Sequence, residues 1–156
     1  MLQRIQSVFL TLVLVFAVLF VFLPLGKFDL EGLKIALKVT GLESSANIPA
    51  EFGQSWYGYV LLILVFGIMV LTVFSIFQFK RRLYQIQLGK FNILLHVGLV
   101  VTAFFFTDQW QDNLPNLPFS YGAGIVLPLV AMILILMANR AIKKDDELVR
   151  SADRIR

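Results

Sequence analysis

The 156-residue chain is far more apolar than a water-soluble protein. Hydrophobic residues make up 58% of it and its mean hydropathy is +0.80, whereas soluble domains contain roughly 45–50% apolar residues. The absence of cysteine excludes disulfides, thiolate metal sites and cysteine nucleophiles. The net charge of +4 is no argument for nucleic-acid binding, because membrane topology alone requires an excess of Lys and Arg.

Four long apolar segments predict four transmembrane helices, since about 20 apolar residues of helix cross the hydrocarbon core of a bilayer. The predicted spans are residues 8–25, 57–79, 91–106 and 121–138. The first is too long for the apolar core of a cleaved secretory signal, so we expect it to remain as an anchor. The sequence predicts an all-α membrane protein: a four-helix transmembrane bundle over residues 1–138 and a cytoplasmic helical tail over residues 139–156.

Between the first two spans the pattern changes from helix to strand. Residues 28–40 alternate apolar and polar side chains, which is typical of a strand. Glu31 and Gly32 are placed to turn a small hairpin on the periplasmic membrane surface. Residues 41–55 are rich in Gly, Ser, Asn and Pro and are predicted to form a loop.

The later connections are predicted to be short. Residues 80–90 form a basic loop, which lets spans 2 and 3 pack as antiparallel neighbours, and residues 113–118 form a turn-rich loop. Tyr121 is expected at the aromatic belt that opens span 4. Pro128 lies inside that span, where a kink is tolerated if neighbouring helices bond the freed carbonyl.

The distribution of charge predicts the orientation. Residues 80–90 carry a net charge of +4 and residues 139–156 carry +2, whereas residues 27–56 carry −1 and residues 107–120 carry −2. Because Lys and Arg in short loops stay in the cytoplasm, both termini are predicted to be cytoplasmic. Anionic lipid headgroups are a possible contact of this basic surface, whose residues are Lys80, Arg81 and Arg82.

The last span leads into a charged tail without interruption. Neither Gly nor Pro occurs from Leu129 to Arg156, which favours one continuous helix. An apolar stripe on a projecting, charged helix indicates a surface that meets another protein. The predicted docking residues are Leu148, Ala152 and Ile155, together with Arg150.

The two ends of the chain carry a resemblance to a family. With QRIQ before the first span and NRAIKKDDELVRSADRIR after the last, the sequence resembles an uncharacterised family of small four-span inner-membrane proteins of Bacteroidota. The resemblance implies a location in the bacterial cell envelope, at the inner membrane, and a four-span topology. It implies no reaction.

Polar side chains within the spans are the candidates for a site. The predicted intramembrane polar cluster contains Thr11, Thr72, Ser75, Asn92 and His96, the only histidine. Its simplest interpretation is a set of interhelical hydrogen bonds, worth about 0.6 kcal/mol each on average. A site for a small polar ligand and a haem ligand at His96 remain open alternatives, although one histidine cannot supply two axial ligands.

The predicted function rests on the absence of charged residues from the spans and on the apolar stripe of the tail. No acidic or basic residue lies in a predicted span, and no catalytic triad, metal-spaced carboxylates or phosphate loop occurs. We therefore expect neither an enzyme nor an ion-coupled transporter, and no cofactor. The prediction is a non-enzymatic accessory or scaffold subunit of a larger inner-membrane complex, with a secretion or protein-translocation assembly as the candidate.

Other inner-membrane subunits and membrane lipids are the expected partners, and the sequence leaves the oligomeric state open. The alternative function is that of a membrane protein that binds haem, quinone or another small amphiphile through the His96 region.

Overall fold

The computed structural model describes residues 2–30, 33–43, 56–79 and 81–153. Within this part of the chain, four long helices form a bundle and four short strands form a small sheet. Each helix is long and apolar enough to span a membrane, as expected for a multi-pass membrane protein. The helices are α1 (Leu2–Phe22), α2 (Trp56–Phe77), α3 (Arg82–Asn113) and α4 (Leu127–Asp153).

The membrane environment explains both the helices and their burial pattern. A backbone in hydrocarbon must form its hydrogen bonds internally, so β-branched and aromatic residues are accommodated in these helices. Only 28–33% of each membrane-length segment is buried, because each helix turns one stripe toward its neighbours. In α4, Ala131, Ile135, Ala138 and Ile142 follow at spacings of four, three and four and are at most 1% exposed, whereas Ile133 is 57% exposed.

The helices pack as a ring in which α4 contacts α1 and α3, and α2 contacts α3 and α1. A small core of Val13, Ala131 and Ile135 joins α1 to α4. The larger core includes residues of α2 and α3 and extends into the sheet. The sheet therefore belongs to the same folded unit as the membrane helices.

The sheet is antiparallel and has the strand order β3-β2-β1-β4. The strands are β1 (Gly26–Leu30), β2 (Leu33–Lys38), β3 (Gly41–Glu43) and β4 (Phe119–Tyr121). The predicted strands at residues 28–40 are confirmed as β1 and β2, with Phe28 opposite Ile35. The turn predicted at residues 31–32 lies outside the described residues.

Two further segments contribute to the sheet: one was predicted as a loop, and the other lies at the predicted start of span 4. The loop prediction was wrong for residues 41–43, which pair with β2, and Gly41 there adopts a φ of +122° that favours glycine. The rest of that predicted loop, residues 44–55, lies outside the described residues. The strand β4 lies between α3 and α4, remote in sequence from the other three strands. Its three residues are too few for periodicity to indicate a strand.

One face of the sheet covers an end of the bundle. Phe28, Leu37 and Val39 are at most 1% exposed and share a core with Phe106 and Trp110 near the end of α3. The alternation seen in the sequence thus separates a buried apolar face from a polar outer face.

Residues 82–90, predicted as a cytoplasmic loop, are instead the first turns of α3. The basic residues around them suggested a loop and concealed a helical stripe, because Gln85, Leu88 and Asn92 are all buried at spacings of three and four. The link from α2 to α3 is therefore confined to the few residues between Phe77 and Arg82.

The fourth span begins later than predicted. Tyr121 lies in β4, and residues 123–126 form a single 3-10 turn before α4 begins at Leu127. Pro128 therefore occupies the first turn of α4, where a helix needs no N–H from it. No kink within the span is required.

Two glycines bind the start of α4 to the end of α1. The backbone N–H of Gly122 donates to the Leu25 carbonyl at 2.8 Å, and that of Gly124 donates to the Pro24 carbonyl at 3.0 Å. A Cβ on Gly122 would overlap the Pro24 carbonyl oxygen, which is backbone and cannot swing away. The sheet end of the bundle is closed by this backbone contact.

We predict that Gly122→Ala destabilises the protein by about 1–3 kcal/mol, the usual cost of forcing atoms into a packed site. The φ of Gly122 is −90°, so the effect is steric rather than conformational. Thermal unfolding in mild detergent measures it. Gly98→Ala is the matched control, because its added Cβ would meet no atom within 4 Å outside the local backbone of its own helix. Equal stability of the two variants would contradict the packing described.

Candidate functional site

A layer of buried polar side chains crosses the bundle at the end opposite the sheet. We call it the polar layer, and its members are at most 4% exposed. It contains Gln6 of α1, Thr72 and Ser75 of α2, and Gln85, Asn92 and His96 of α3.

Hydrogen bonds in the polar layer tie α2 to α3. Asn92 Nδ2 donates to Thr72 Oγ1 at 2.6 Å, and Thr72 Oγ1 donates to the Ile68 carbonyl at 2.7 Å. Gln85 Nε2 donates to the Ser75 carbonyl at 3.0 Å. Because residues 85 and 92 lie two helical turns apart on one face, the two amides fix the register of the helices.

His96 extends the layer toward the middle of the bundle. Its Nδ1 lies 2.8 Å from the Asn92 carbonyl oxygen, which can only accept, so Nδ1 carries a proton. A cavity of about 10 Å³ lies beside the ring, with Phe16, Ile68 and Leu99 among its apolar walls. That volume holds about one water molecule at most and is far smaller than a haem or a quinone.

The structure brings four of the five predicted cluster residues together. Thr72, Ser75, Asn92 and His96 are buried in the polar layer, whereas Thr11 is exposed on α1. The buried stripe of α1 passes through Gln6, Leu10, Val13, Ala17 and Phe20, and residue 11 lies about 100° from residue 10 around the helix. The placement of Thr11 in the cluster was therefore wrong.

Sequence reasoning missed two members of the layer, Gln6 and Gln85. Gln6 precedes Leu10 by four residues and could have been found by extending the apolar stripe of α1. Gln85 precedes Asn92 by seven residues but fell within the segment predicted as a loop.

Three atoms of the layer have no hydrogen-bond partner among the described residues: Gln6 Nε2, Gln85 Oε1 and Asn92 Oδ1. A buried polar atom without a partner costs about 1–3 kcal/mol, so internal water is the simplest group to complete the layer. The described residues form no group of three or more His, Asp or Glu side chains that could hold a metal ion. The polar layer can therefore fix the register of the helices through hydrogen bonds, and it has one imidazole, His96, at its inner end.

Charged groups surround the same end of the bundle. Arg82 Nη2 lies 2.9 Å from Asp145 Oδ2, and both side chains are largely buried, so this arginine ties the start of α3 to α4. Arg81 is exposed and borders a groove of about 380 Å³ with Leu83, Tyr84 and Asp146. Of the predicted lipid-facing cations, Arg81 faces outward, Arg82 is paired within the protein, and Lys80 lies outside the described residues.

The tail continues α4 as one helix to Asp153. Among the predicted docking residues, Leu148 is 50% exposed. The side chains of Arg150 and Ala152 and the whole of Ile155 lie outside the described residues. Val149, which was not predicted as a docking residue, is 41% exposed.

Residues 2–155 match the family described as a domain of unknown function, DUF4293. The chain belongs to this family. The match confirms the expected membership of an uncharacterised family. No curated protein and no solved structure matches the chain.

We predict that Asn92→Leu and Thr72→Val each destabilise the protein, and that the two changes together cost less than their sum. The coupling should be about 0.6–1.7 kcal/mol, the range of interhelical hydrogen bonds in membranes. A double-mutant cycle on unfolding in mild detergent measures it. Thr11→Val is the matched control for a threonine on an exposed face and should have little effect. Additive losses would show that the Asn92–Thr72 bond contributes nothing.

Proposed function

We propose that this DUF4293 protein is a non-enzymatic subunit of a larger assembly in a bacterial inner membrane. In this proposal it binds a partner protein through the free end of α4, on the cytoplasmic side. The observation that carries the proposal is that α4 continues past the end of the bundle and still carries exposed apolar side chains there, at Leu148 and Val149.

The stripe can be followed residue by residue. Ala138 and Ile142 are at most 1% exposed, and Asp145 follows three residues later, paired with Arg82 at the first residue of α3. Val149 comes four residues after Asp145 and so lies on the same face of the helix. It is 41% exposed because α3, which runs antiparallel to α4, begins at Arg82 beside Asp145 and does not reach as far as Val149.

The end of α4 has the properties of a docking element. Val149 lies about 6 Å beyond Asp145 along the helix axis, at 1.5 Å per residue, and the neighbouring Leu148 is 50% exposed. The Arg82–Asp145 pair fixes the direction in which this helix leaves the bundle. Burial of the two apolar side chains against a partner would gain about 25 cal/mol per Å².

The orientation that we propose rests on the ends of the helices. The basic residues Arg81, Arg82 and Lys143 lie at the polar-layer end, together with the free end of α4. The acidic residues Asp108 and Asp112 lie at the sheet end, near the close of α3. By the positive-inside rule, we propose that the first end faces the cytoplasm.

The identity of the assembly is the part of the proposal that goes furthest beyond the structure. A secretion or protein-translocation machine is the candidate, supported by the envelope location and by the basic cytoplasmic end. The resemblance of both chain termini to small inner-membrane proteins of Bacteroidota supports the same compartment.

The alternative, a ligand site at His96, has less support. The cavity of about 10 Å³ beside the ring requires the helices to separate before a haem or quinone could enter. Binding of such a ligand would show as a visible or near-ultraviolet absorption band that His96→Leu removes.

We predict that reporters fused after Arg156 are active in the cytoplasm. A reporter inserted after the exposed Asn116, near the sheet, should be active only in the periplasm. Paired alkaline phosphatase and fluorescent-protein fusions measure both positions. A reporter at Arg156 that is active only in the periplasm would overturn the orientation.

We predict that a photo-crosslinking residue at position 149 forms an adduct with a partner protein and that one at position 151 does not. Residue 151 is exposed and lies about 200° around the helix from residue 149. Val149→Lys should weaken co-purification of the same partner, whereas Ser151→Lys, with the same change in charge, should not. Leu148→Lys should weaken it too, but Ser151→Lys is the matched control for Val149 alone, because residue 151 lies only about 60° around the helix from residue 148. Removal of residues 147–156 should also release the partner and leave membrane insertion intact.

Retention of the partner by Val149→Lys, Leu148→Lys and the truncated chain would contradict docking through the tail. The partner would then have to contact the bundle or the sheet.

A further inference from the structure

A second surface feature lies at the opposite end of the bundle, between α3 and β4. It is a groove of about 270 Å³, which we call the Asp108 groove. Its lining residues are Val101, Phe104, Phe105 and Asp108 of α3 and Tyr121 of β4.

The walls of the Asp108 groove suit a hydrocarbon chain. Val101, Phe104, Phe105 and Tyr121 are 44–59% exposed, so their apolar surface is available to whatever lies outside. Phe104 and Tyr121 meet edge to face with 5.7 Å between ring centroids, which joins the α3 wall to the β4 wall. From Val101 to Asp108 the groove follows α3 for about 10 Å.

The depth of the groove in the membrane is set by α3. Val101 lies in the apolar segment 91–106, and Asp108 follows two residues after its end. The apolar walls are therefore at the depth of acyl chains, and Asp108 is at the depth of the headgroups. A lipid is the occupant that can fill both parts at once.

The charge of the groove restricts the headgroup. Asp108 is the one charged residue that lines the groove, it is exposed, and no Lys or Arg of the described residues pairs with it. A carboxylate at this depth attracts an ammonium group and repels a headgroup whose net charge is negative. On the other wall, the phenolic hydroxyl of Tyr121 can donate a hydrogen bond to a lipid phosphate.

We propose that the Asp108 groove binds a phospholipid with a primary-amine headgroup, with its ammonium at Asp108 and one acyl chain along Val101, Phe104 and Phe105. The site is independent of the tail and lies at the other end of the bundle. The protein thereby carries an aminophospholipid at the rim of its sheet.

The test compares lipids of identical acyl chains bound to the purified full-length protein. Native mass spectrometry with mixed phosphatidylethanolamine, phosphatidylglycerol and phosphatidylcholine should show a retained phosphatidylethanolamine, preferred over phosphatidylglycerol by roughly two- to fivefold, as expected for one exposed ion pair. Asp108→Asn should abolish this preference. Asp112→Asn, which changes an exposed carboxylate one turn further along α3 and outside the groove, should keep it.

Two further arms separate the parts of the proposal. Phe105→Ala should reduce retention of all three lipids, because it shortens the apolar wall. Glycerophosphoethanolamine, which has the headgroup but no acyl chains, should not displace the lipid at equal concentration. Displacement by this soluble compound would show that the site takes a free amine and would overturn the lipid assignment.

The proposal is overturned if the wild-type protein does not distinguish phosphatidylethanolamine from phosphatidylglycerol, or if Asp108→Asn keeps the preference. Equal retention of phosphatidylcholine would contradict a primary amine as the recognised group. If Asp112→Asn also lost the preference, the preference would come from the overall negative charge at this end of the protein and not from the groove.

Discussion

The structure depends on one requirement of the bilayer: backbone groups inside hydrocarbon must be bonded within the protein. Four helices satisfy it by themselves, and each buries only about a third of its membrane segment. The strands have edges that need other partners, and they lie at the end of the bundle, where β4 adds a fourth strand to the β1–β3 sheet. The backbone bonds from Gly122 and Gly124 to the end of α1 join these two kinds of structure.

The two ends of the bundle are held together by different chemistry. At the sheet end, apolar packing around Phe28, Phe106 and Trp110 closes the core. At the other end, α2 and α3 are joined by amide and hydroxyl side chains, chiefly the Asn92–Thr72 bond of 2.6 Å. Hydrogen bonds have a direction and apolar contacts do not, so the polar layer determines the register of helices whose apolar surfaces would tolerate sliding.

The proposed functions divide between the same two ends. In the proposal, a protein partner binds the exposed Leu148 and Val149 at the end of α4, beyond the Arg82–Asp145 pair. The Asp108 groove offers a carboxylate and aromatic walls to a lipid at the membrane interface. Both proposals rest on binding and not on a reaction.

The sequence alone determined the four membrane helices, the strand pair at residues 28–40 and the helical tail, because each depends on a local period or on the absence of Gly and Pro. The clustering of Thr72, Ser75, Asn92 and His96 in the polar layer was also predictable, because polar residues are rare in apolar spans. Only the tertiary structure decided the rest. Residues 82–90 became helix through burial of Gln85 and Leu88 against other helices, and Phe119–Tyr121 became a strand because β1, far away in sequence, offers its edge. Thr11 is exposed because a different stripe of α1 packs against α4 and α2. Which stripe is buried depends on contacts between helices, so the sequence of α1 alone does not determine it.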